Sequence, residues 1–214
     1  MERPSKKKLL PKEYDCTGII LAGGKNSRLP GIKKAFHKIN GKMIIDIIIE
    51  KLSTLLNEII IVTNDPCDFS EQDSLLATDI LPCGCSLAGI HAGMFYAAKN
   101  NIFVAACDTP FLKIEIVEKI ISHISPAHDI IIPETCDGIE PLCAVYSKKC
   151  LPAVQTNLNK NIFMIKKIFK KNRTLKIPVH EIKKIDPEMI SFFNINTPCD
   201  LDKANRFCQG HGPV

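Results

Sequence analysis

Two adjacent glycines, Gly23 and Gly24, follow an apolar run from Gly18 to Ala22, and Arg28, Lys33 and Lys34 come soon after them. That order of residue types suits an anion. Glycines let the main chain approach a ligand closely and aim consecutive N–H groups at it, which is how a loop cradles phosphate without side chains. The three cations add charge of the right sign. A tight surface turn with solvated basic residues would have the same composition, and on this stretch alone both readings stay open. Neither of two common phosphate loops fits: Gly24 and Gly31 are separated by six residues and followed by Ile32, so the P-loop spacing fails, and the dinucleotide Gly-x-Gly-x-x-Gly fails too.

The elements that would position this loop can be read from periodicity. Residues 18–22 are continuous aliphatics, as in a strand covered on both faces of a parallel sheet. Ile45, Ile48, Ile49, Leu52, Leu55 and Leu56 recur at helical spacing between Met43 and Leu56, and residues 58–65 then read as a second buried strand ending in turn residues. The pattern continues with a helix N-capped by Ser86 over 86–100, a strand over 101–108 and a helix with the stripe Val117, Ile120, Ile121 and Ile124. Residues 128–133 and 142–147 read as strands, a helix begins near Lys148, 174–182 is expected to be extended, and 198–208 closes the chain as a helix. A basic amphipathic helix is expected over 159–176, with Ile165, Ile168 and Phe169 facing in and a solvated lysine face.

Alternating strands and helices predict an α/β fold: a Rossmann-like open, mostly parallel sheet with helices on both faces. Ligands in such sheets bind beyond the carboxyl ends of the strands. Three of those ends carry chemistry: Gly23 to Arg28 after the first strand, Asn64 and Asp65 after the second, and Cys107-Asp108-Thr109-Pro110 after the third.

Composition narrows the partners. The chain has 214 residues, is 45% hydrophobic and carries a net charge of +5, which allows one substantial core and favours anionic ligands. Residues 1–15 are expected to be a basic, poorly ordered N-terminal segment, and 16–208 a single domain. No secretory apolar core follows the basic start, so a cytoplasmic location is expected. Asp46, Glu50 and Lys51 interrupt the longest apolar stretch well before the roughly 20 residues of a spanning helix, so no membrane partner is expected. The ten cysteines contain no Cys-x-x-Cys pair and are expected as reduced thiols. Cys83-Gly84-Cys85 lacks the second pair that a tetrahedral metal site needs. No recognised fold module or interleaved aromatic stripe supports nucleic-acid binding.

Residue by residue, Leu21, Ala22, Gly23, Gly24, Arg28 and Lys34, with Asn40-Gly41-Lys42 behind them, resemble the signature of the molybdenum cofactor guanylyltransferase family. Four further segments resemble that family in the same order: Asp79 followed by Ser86-Leu87-Ala88-Gly89-Ile90, Cys107-Asp108-Thr109-Pro110-Phe111, Glu140 to Tyr146, and Phe193 to Leu201 with its Asn194-Ile195-Asn196-Thr197-Pro198 core. The resemblance implies a nucleotide-diphospho-sugar transferase type of fold and the transfer of GMP from GTP to molybdenum-molybdopterin, with release of pyrophosphate.

It also implies roles. Arg28, Lys34 and Asp108 would be catalytic, with Asp108 holding Mg2+. Leu21, Ala22, Gly23, Gly24, Lys34, Asn64, Asp79 and Asp108 would bind the nucleotide, and Asn194 and Asn196 would face the molybdopterin. Implied partners are GTP, molybdenum-molybdopterin, and other cofactor-biosynthesis proteins or apo-molybdoenzymes. Pro30, Lys33, Val62 and Cys85-Ser86 depart from the family pattern and bear on base selectivity more than on reaction class. Alternative readings are a cytidylyltransferase, a sugar-phosphate nucleotidyltransferase, or a non-catalytic adaptor that holds the finished cofactor.

Overall fold

The structure, a computed structural model, describes residues 14–23 and 33–208. The expected N-terminal segment up to residue 13, and with it Gly24, Arg28 and Pro30, lies outside the described residues. In chain order the elements are β1 (Cys16–Leu21), β2 (Lys38–Ile39), β3 (Lys42–Met43), α1 (Ile44–Ser53), β4 (Ile59–Val62), β5 (Leu75–Ala77), α2 (Ser86–Tyr96), β6 (Asn101–Ala106), α3 (Ile114–Ile121) and β7 (Ile130–Thr135). There follow β8 (Gly138–Ile139), β9 (Cys143–Ser147), α4 (Leu151–Asn159), β10 (Thr174–Ile177), α5 (Val179–Ile185) and α6 (Pro198–Cys208).

The main sheet runs β10-β7-β9-β6-β1-β4-β5, with β8 paired to β7. β1 pairs in parallel with β4 and β6, β4 with β5, and β10 with β7, whereas β9 lies antiparallel between β6 and β7. The mostly parallel sheet expected from the alternation is therefore present. A small hairpin, β2-β3, turns at Asn40 and Gly41, whose φ angles of 48° and 84° are those that Asn-Gly adopts readily.

Every residue of β1 is buried because helices cover both faces of the sheet. One core packs α1, α3, α5 and α6 against the sheet through residues such as Ile48, Val117, Ile182 and Ala204. The other packs α2 and α4 through Leu87, Ile90, Val154 and Leu158. α2 is buried at every residue from Leu87 to Met94, as expected of a helix apolar on all sides. Its seat on β1 depends on two glycines one helical turn apart. A Cβ on Gly89 would fall 2.9 Å from Leu21 Cδ2, and one on Gly93 would fall 2.9 Å from Ile19 Cγ2.

Three boundaries differ from the sequence reading. α2 starts one residue earlier than expected, with Cys85 as the N-cap and Ser86 the first helical residue, and the helix stops at Tyr96, where Ala97 turns to ψ 138°. Of the stretch expected to be extended, 174–177 is β10, but 179–182 is helical: Pro178 follows β10 and leads into α5, consistent with proline preceding a first turn whose N–H groups have no helical partner. The basic segment forms a 3-10 helix over Ile165–Lys171 in place of a long amphipathic α-helix. Its apolar residues do face inward, since Ile168 is fully buried and Ile165 and Phe169 pack against the α2-α4 core.

At the far side of the sheet, Arg173 clamps the start of β7. Its Nε and Nη2 donate to the two Asp129 carboxylate oxygens at 3.0 and 2.7 Å. That bidentate contact, from an always-charged guanidinium, holds the Asp129 carboxyl down at about 2.

Candidate functional site

The carboxyl ends of β1, β4 and β6 are bonded side by side. Ala22 N–H donates to the Val62 carbonyl at 2.9 Å, and Cys107 N–H donates to the Leu21 carbonyl at 3.2 Å. These bonds commit the Leu21 carbonyl and the Ala22 N–H to the sheet. They also bring the three segments singled out in the sequence to one edge: Ala22-Gly23, Thr63-Asn64 and Cys107-Asp108. Gly23 is the first residue past the sheet and is exposed.

Asp108 sits where β6 ends. The Thr109 hydroxyl donates back to the Ala106 carbonyl at 3.0 Å, and the Asp108 carbonyl accepts from Ile195 N–H at 2.9 Å. The second bond fastens the chain before α6 to the end of β6. Lys34 approaches from the opposite direction, at the head of a 3-10 turn pinned by buried Ala35 and by the Phe36 and Phe69 rings 4.8 Å apart. Its Nζ lies 3.1 Å from Asp108 Oδ2 and also donates to Asn196 Oδ1. Both charged side chains are largely covered, with Lys34 20% and Asp108 17% exposed, so their attraction is less screened than that of a surface pair.

The turn that presents Asn196 is itself fixed by a capping box. Asp200 Oδ2 accepts from the Thr197 N–H and hydroxyl, both at 2.8 Å, while the Thr197 hydroxyl accepts from Asp200 N–H at 3.2 Å. Burial alone would raise the Asp200 carboxyl, but these donors and the Asn196 N–H lower it. Asn194 does not join the cluster. It is exposed, and its amide donates to the Phe192 carbonyl at 3.2 Å.

Beside this cluster lies a cavity of about 630 Å³, floored by Leu21, Gly23 and Val62 and bordered by Asn64, Asp79 and Gly89. Asn64 and Asp79 form a closed two-bond ring. Asn64 Nδ2 donates to Asp79 Oδ2 at 3.0 Å, and Asn64 Oδ1 accepts from Asp79 N–H at 3.2 Å. Val62, one of the departures from the family pattern, presents an apolar floor here, and Asn64 supplies the nearest side-chain amide.

Of the residues expected at the site, Leu21, Gly23, Asn64 and Asp79 meet at the cavity, while Lys34, Asp108 and Asn196 meet one another at the end of the neighbouring strand β6 and do not line it; Ala22 is buried in the opposite core, and Gly24 and Arg28 lie outside the described residues. Two features escaped the sequence reading. Lys33 is clamped between Asp65 Oδ2 at 2.5 Å and Asp68 Oδ2 at 2.6 Å, which ties the residue that opens the Lys34 turn to the segment after β4. Burial opposes its charge, but the two carboxylates outweigh that and raise its pKa. Phe163 and Met164 line the cavity although they lie far along the chain. Their signal was hidden in a segment whose lysines suggested a solvated helix.

The edge arrangement has the polarity expected for handling phosphates, and comparison with known proteins identifies the group. Residues 18–175 match the family model described as a MobA-like NTP transferase domain. The chain belongs to this family. As a member of the MobA-like NTP transferases it is a nucleotidyltransferase. It is 40% identical over 188 residues to the molybdenum cofactor guanylyltransferase of Desulfosudis oleivorans, covering 88% of this chain and 93% of that one. It is 35% identical to a probable molybdenum cofactor guanylyltransferase of Natranaerobius thermophilus, covering 90% and 96%. The crystal structure of molybdopterin-guanine dinucleotide biosynthesis protein A from Archaeoglobus fulgidus superposes with a TM-score of 0.80 at 31% identity, covering 91% of this chain and 99% of that one.

Proposed function

We propose that this MobA-like transferase moves GMP from GTP to molybdenum-molybdopterin, forming the guanine dinucleotide form of the cofactor and pyrophosphate. The relatives' names support the substrates. The observation that carries the reading is the Lys34, Asp108 and Asn196 cluster at the end of β6, the strand bonded through Cys107 N–H to Leu21 of the cavity that contains Asn64 and Asp79.

In this reading the nucleoside occupies the cavity, with Asp79 held ready by Asn64 to accept hydrogen bonds, and the triphosphate crosses Gly23 toward Lys34. Gly24 and Arg28 belong to the same triphosphate group. A phosphate oxygen of molybdopterin attacks the α-phosphorus of GTP, the bond to the β-phosphate oxygen breaks, and pyrophosphate leaves. The obstacle is repulsion between two polyanions. Lys34 offsets negative charge and Asn196 orients the acceptor side so that attack occurs in line, while the exposed Asn194, outside that cluster, is assigned to the molybdopterin side as well.

Asp108 fits a magnesium ion: it offers a hard carboxylate oxygen at the strand end. No cluster of three or more His, Cys, Asp or Glu residues suited to a metal occurs among the described residues. Magnesium commonly takes one or two carboxylates and completes its shell with phosphates and water, so one protein ligand is compatible with it. When bound, such an ion supplies charge neutralisation at the phosphate oxygens.

Pyrophosphate release measured with GTP and CTP in competition, in the presence of molybdenum-molybdopterin, tests the assignment. GTP should be used and CTP should compete poorly; a preference for CTP would make the protein a cytidylyltransferase. Among the described residues no helix is long and apolar enough to cross a membrane, and the proposed reaction, with its charged soluble substrates, is assigned to the cytoplasm.

A further inference from the structure

Among the described residues, the large hydrophobic side chains left exposed include three consecutive ones, Ile162, Phe163 and Met164, at 36, 42 and 59% exposure. Scattered exposed apolar residues need no explanation, but a contiguous group at the mouth of a cavity does. Phe163 and Met164 both line the cavity that holds Asn64 and Asp79. They precede the 3-10 helix, in an extended turn where Met164 has ψ 113°, so the inward pull on Ile165 and Ile168 does not draw them into the core.

The sheet order shows what they face. Asn64 and Asp79 stand at the β4-β5 side of β1, whereas Pro141, which precedes β9, stands at the opposite side. Phe163 and Met164 follow α4, whose neighbours are α2 and the 3-10 helix. One cavity therefore has a hydrogen-bonding border at Asn64 and Asp79, an aliphatic floor at Leu21 and Val62, and an aromatic and thioether wall from a segment distant in sequence. A flat heteroaromatic ring with a polar edge satisfies all three. We infer that Phe163, backed by Met164, forms the wall against which the purine ring of the nucleotide packs, making these residues determinants of nucleotide affinity.

This rests on the proposed function, which puts the nucleoside in the cavity. The competing flat ring is the pterin of the second substrate. The purine is favoured because the wall shares its cavity with Asn64 and Asp79, while Lys34, Asp108 and Asn196 do not line that cavity. Stacking of a base on an aromatic side chain tolerates many bases, so the wall contributes affinity, and the choice among bases falls to the polar border.

The chain contains no tryptophan, so Phe163→Trp places one fluorophore at the wall. GTP with magnesium should quench its emission, whereas inorganic tripolyphosphate, which lacks a base, should not. By calorimetry Phe163→Ala should weaken GTP about tenfold, within the range that base–aromatic stacking contributes, and leave tripolyphosphate binding unchanged. Phe163→Leu, which keeps apolar area but loses the ring, should fall between the two. If wild-type protein binds GTP while the tryptophan stays silent and Phe163→Ala binds within twofold of wild type, the wall is refuted and the proposed function survives. Quenching by molybdopterin alone but not by GTP would give the wall to the other substrate and overturn the inference. Absence of GTP binding by the wild-type protein would reject the proposed function itself.

Discussion

Lys34 Nζ stands 3.1 Å from Asp108 Oδ2, although the two residues are 74 positions apart in sequence, and the same ammonium donates to Asn196 Oδ1. One cation thus bridges the end of β6 and the turn before α6. That is a compact way to couple the two sides of a transfer reaction. A group that meets both sides can align donor and acceptor, and alignment with charge neutralisation is most of what phosphoryl chemistry asks of a protein.

Replacing Lys34 by Met removes both bonds and the charge. The expected result is a loss of about a hundredfold in kcat/KM, corresponding to roughly 3 kcal/mol of transition-state stabilisation. Asn196→Ala leaves the Lys34 to Asp108 contact in place. It should therefore lower turnover and raise the KM for the molybdopterin substrate while changing GTP affinity less than threefold. Steady-state kinetics varying each substrate separates the two variants; equal effects on both substrates in Asn196→Ala would argue against its acceptor-side role.

Asn64 is expected to act through Asp79. Removing its amide by Asn64→Ala leaves the Asp79 carboxylate without its charge-assisted partner and free to turn away from the cavity. Such a bond contributes about 1.5 kcal/mol, so GTP affinity should fall roughly tenfold with kcat little changed. Isothermal titration with GTP checks this, and unaltered binding would remove Asn64 from the nucleotide site.

The architecture and the order of these segments were legible because their signals are local. The aliphatic run of β1, the stripe Val117, Ile120 and Ile121 on α3, and the turn residues at Asn64-Asp65 each report their own surroundings. Asp108 could be placed at a strand end for the same reason. The Lys33 clamp depends instead on Asp65 and Asp68 reaching a loop from another βα unit, which no periodicity encodes. Phe163 and Met164 were obscured because the lysines around them read as helical amphipathicity, while the segment winds as a 3-10 helix that starts only at Ile165. The extended reading of 174–182 held for β10 over 174–177 and failed after it because Pro178, after a β-rich stretch, also serves as the N-cap of a helix.

His91 offers a test of the core beneath the cavity. It is 5% exposed on α2, and among the described residues its Nδ1 is buried without a hydrogen-bond partner. Burial pushes its pKa below the ordinary histidine value, with only partial opposition from Asp79. The unfolded chain then binds a proton more readily than the folded one, so stability should fall as pH drops through about 6.5 toward 5. Thermal melts from pH 8 to pH 5 should show a decline in Tm that His91→Leu flattens. A slope unchanged in the variant would place the acid sensitivity elsewhere.

The measurement closest to the central claim is single-turnover pyrophosphate release from GTP, with magnesium and molybdenum-molybdopterin, by wild-type protein and by Asp108→Ala. The account predicts a loss of at least a hundredfold in the variant, together with an unchanged far-UV spectrum and retained cofactor binding. A variant that turns over at the wild-type rate, or a wild-type protein whose rate is indifferent to removal of divalent ions by chelation, would contradict it.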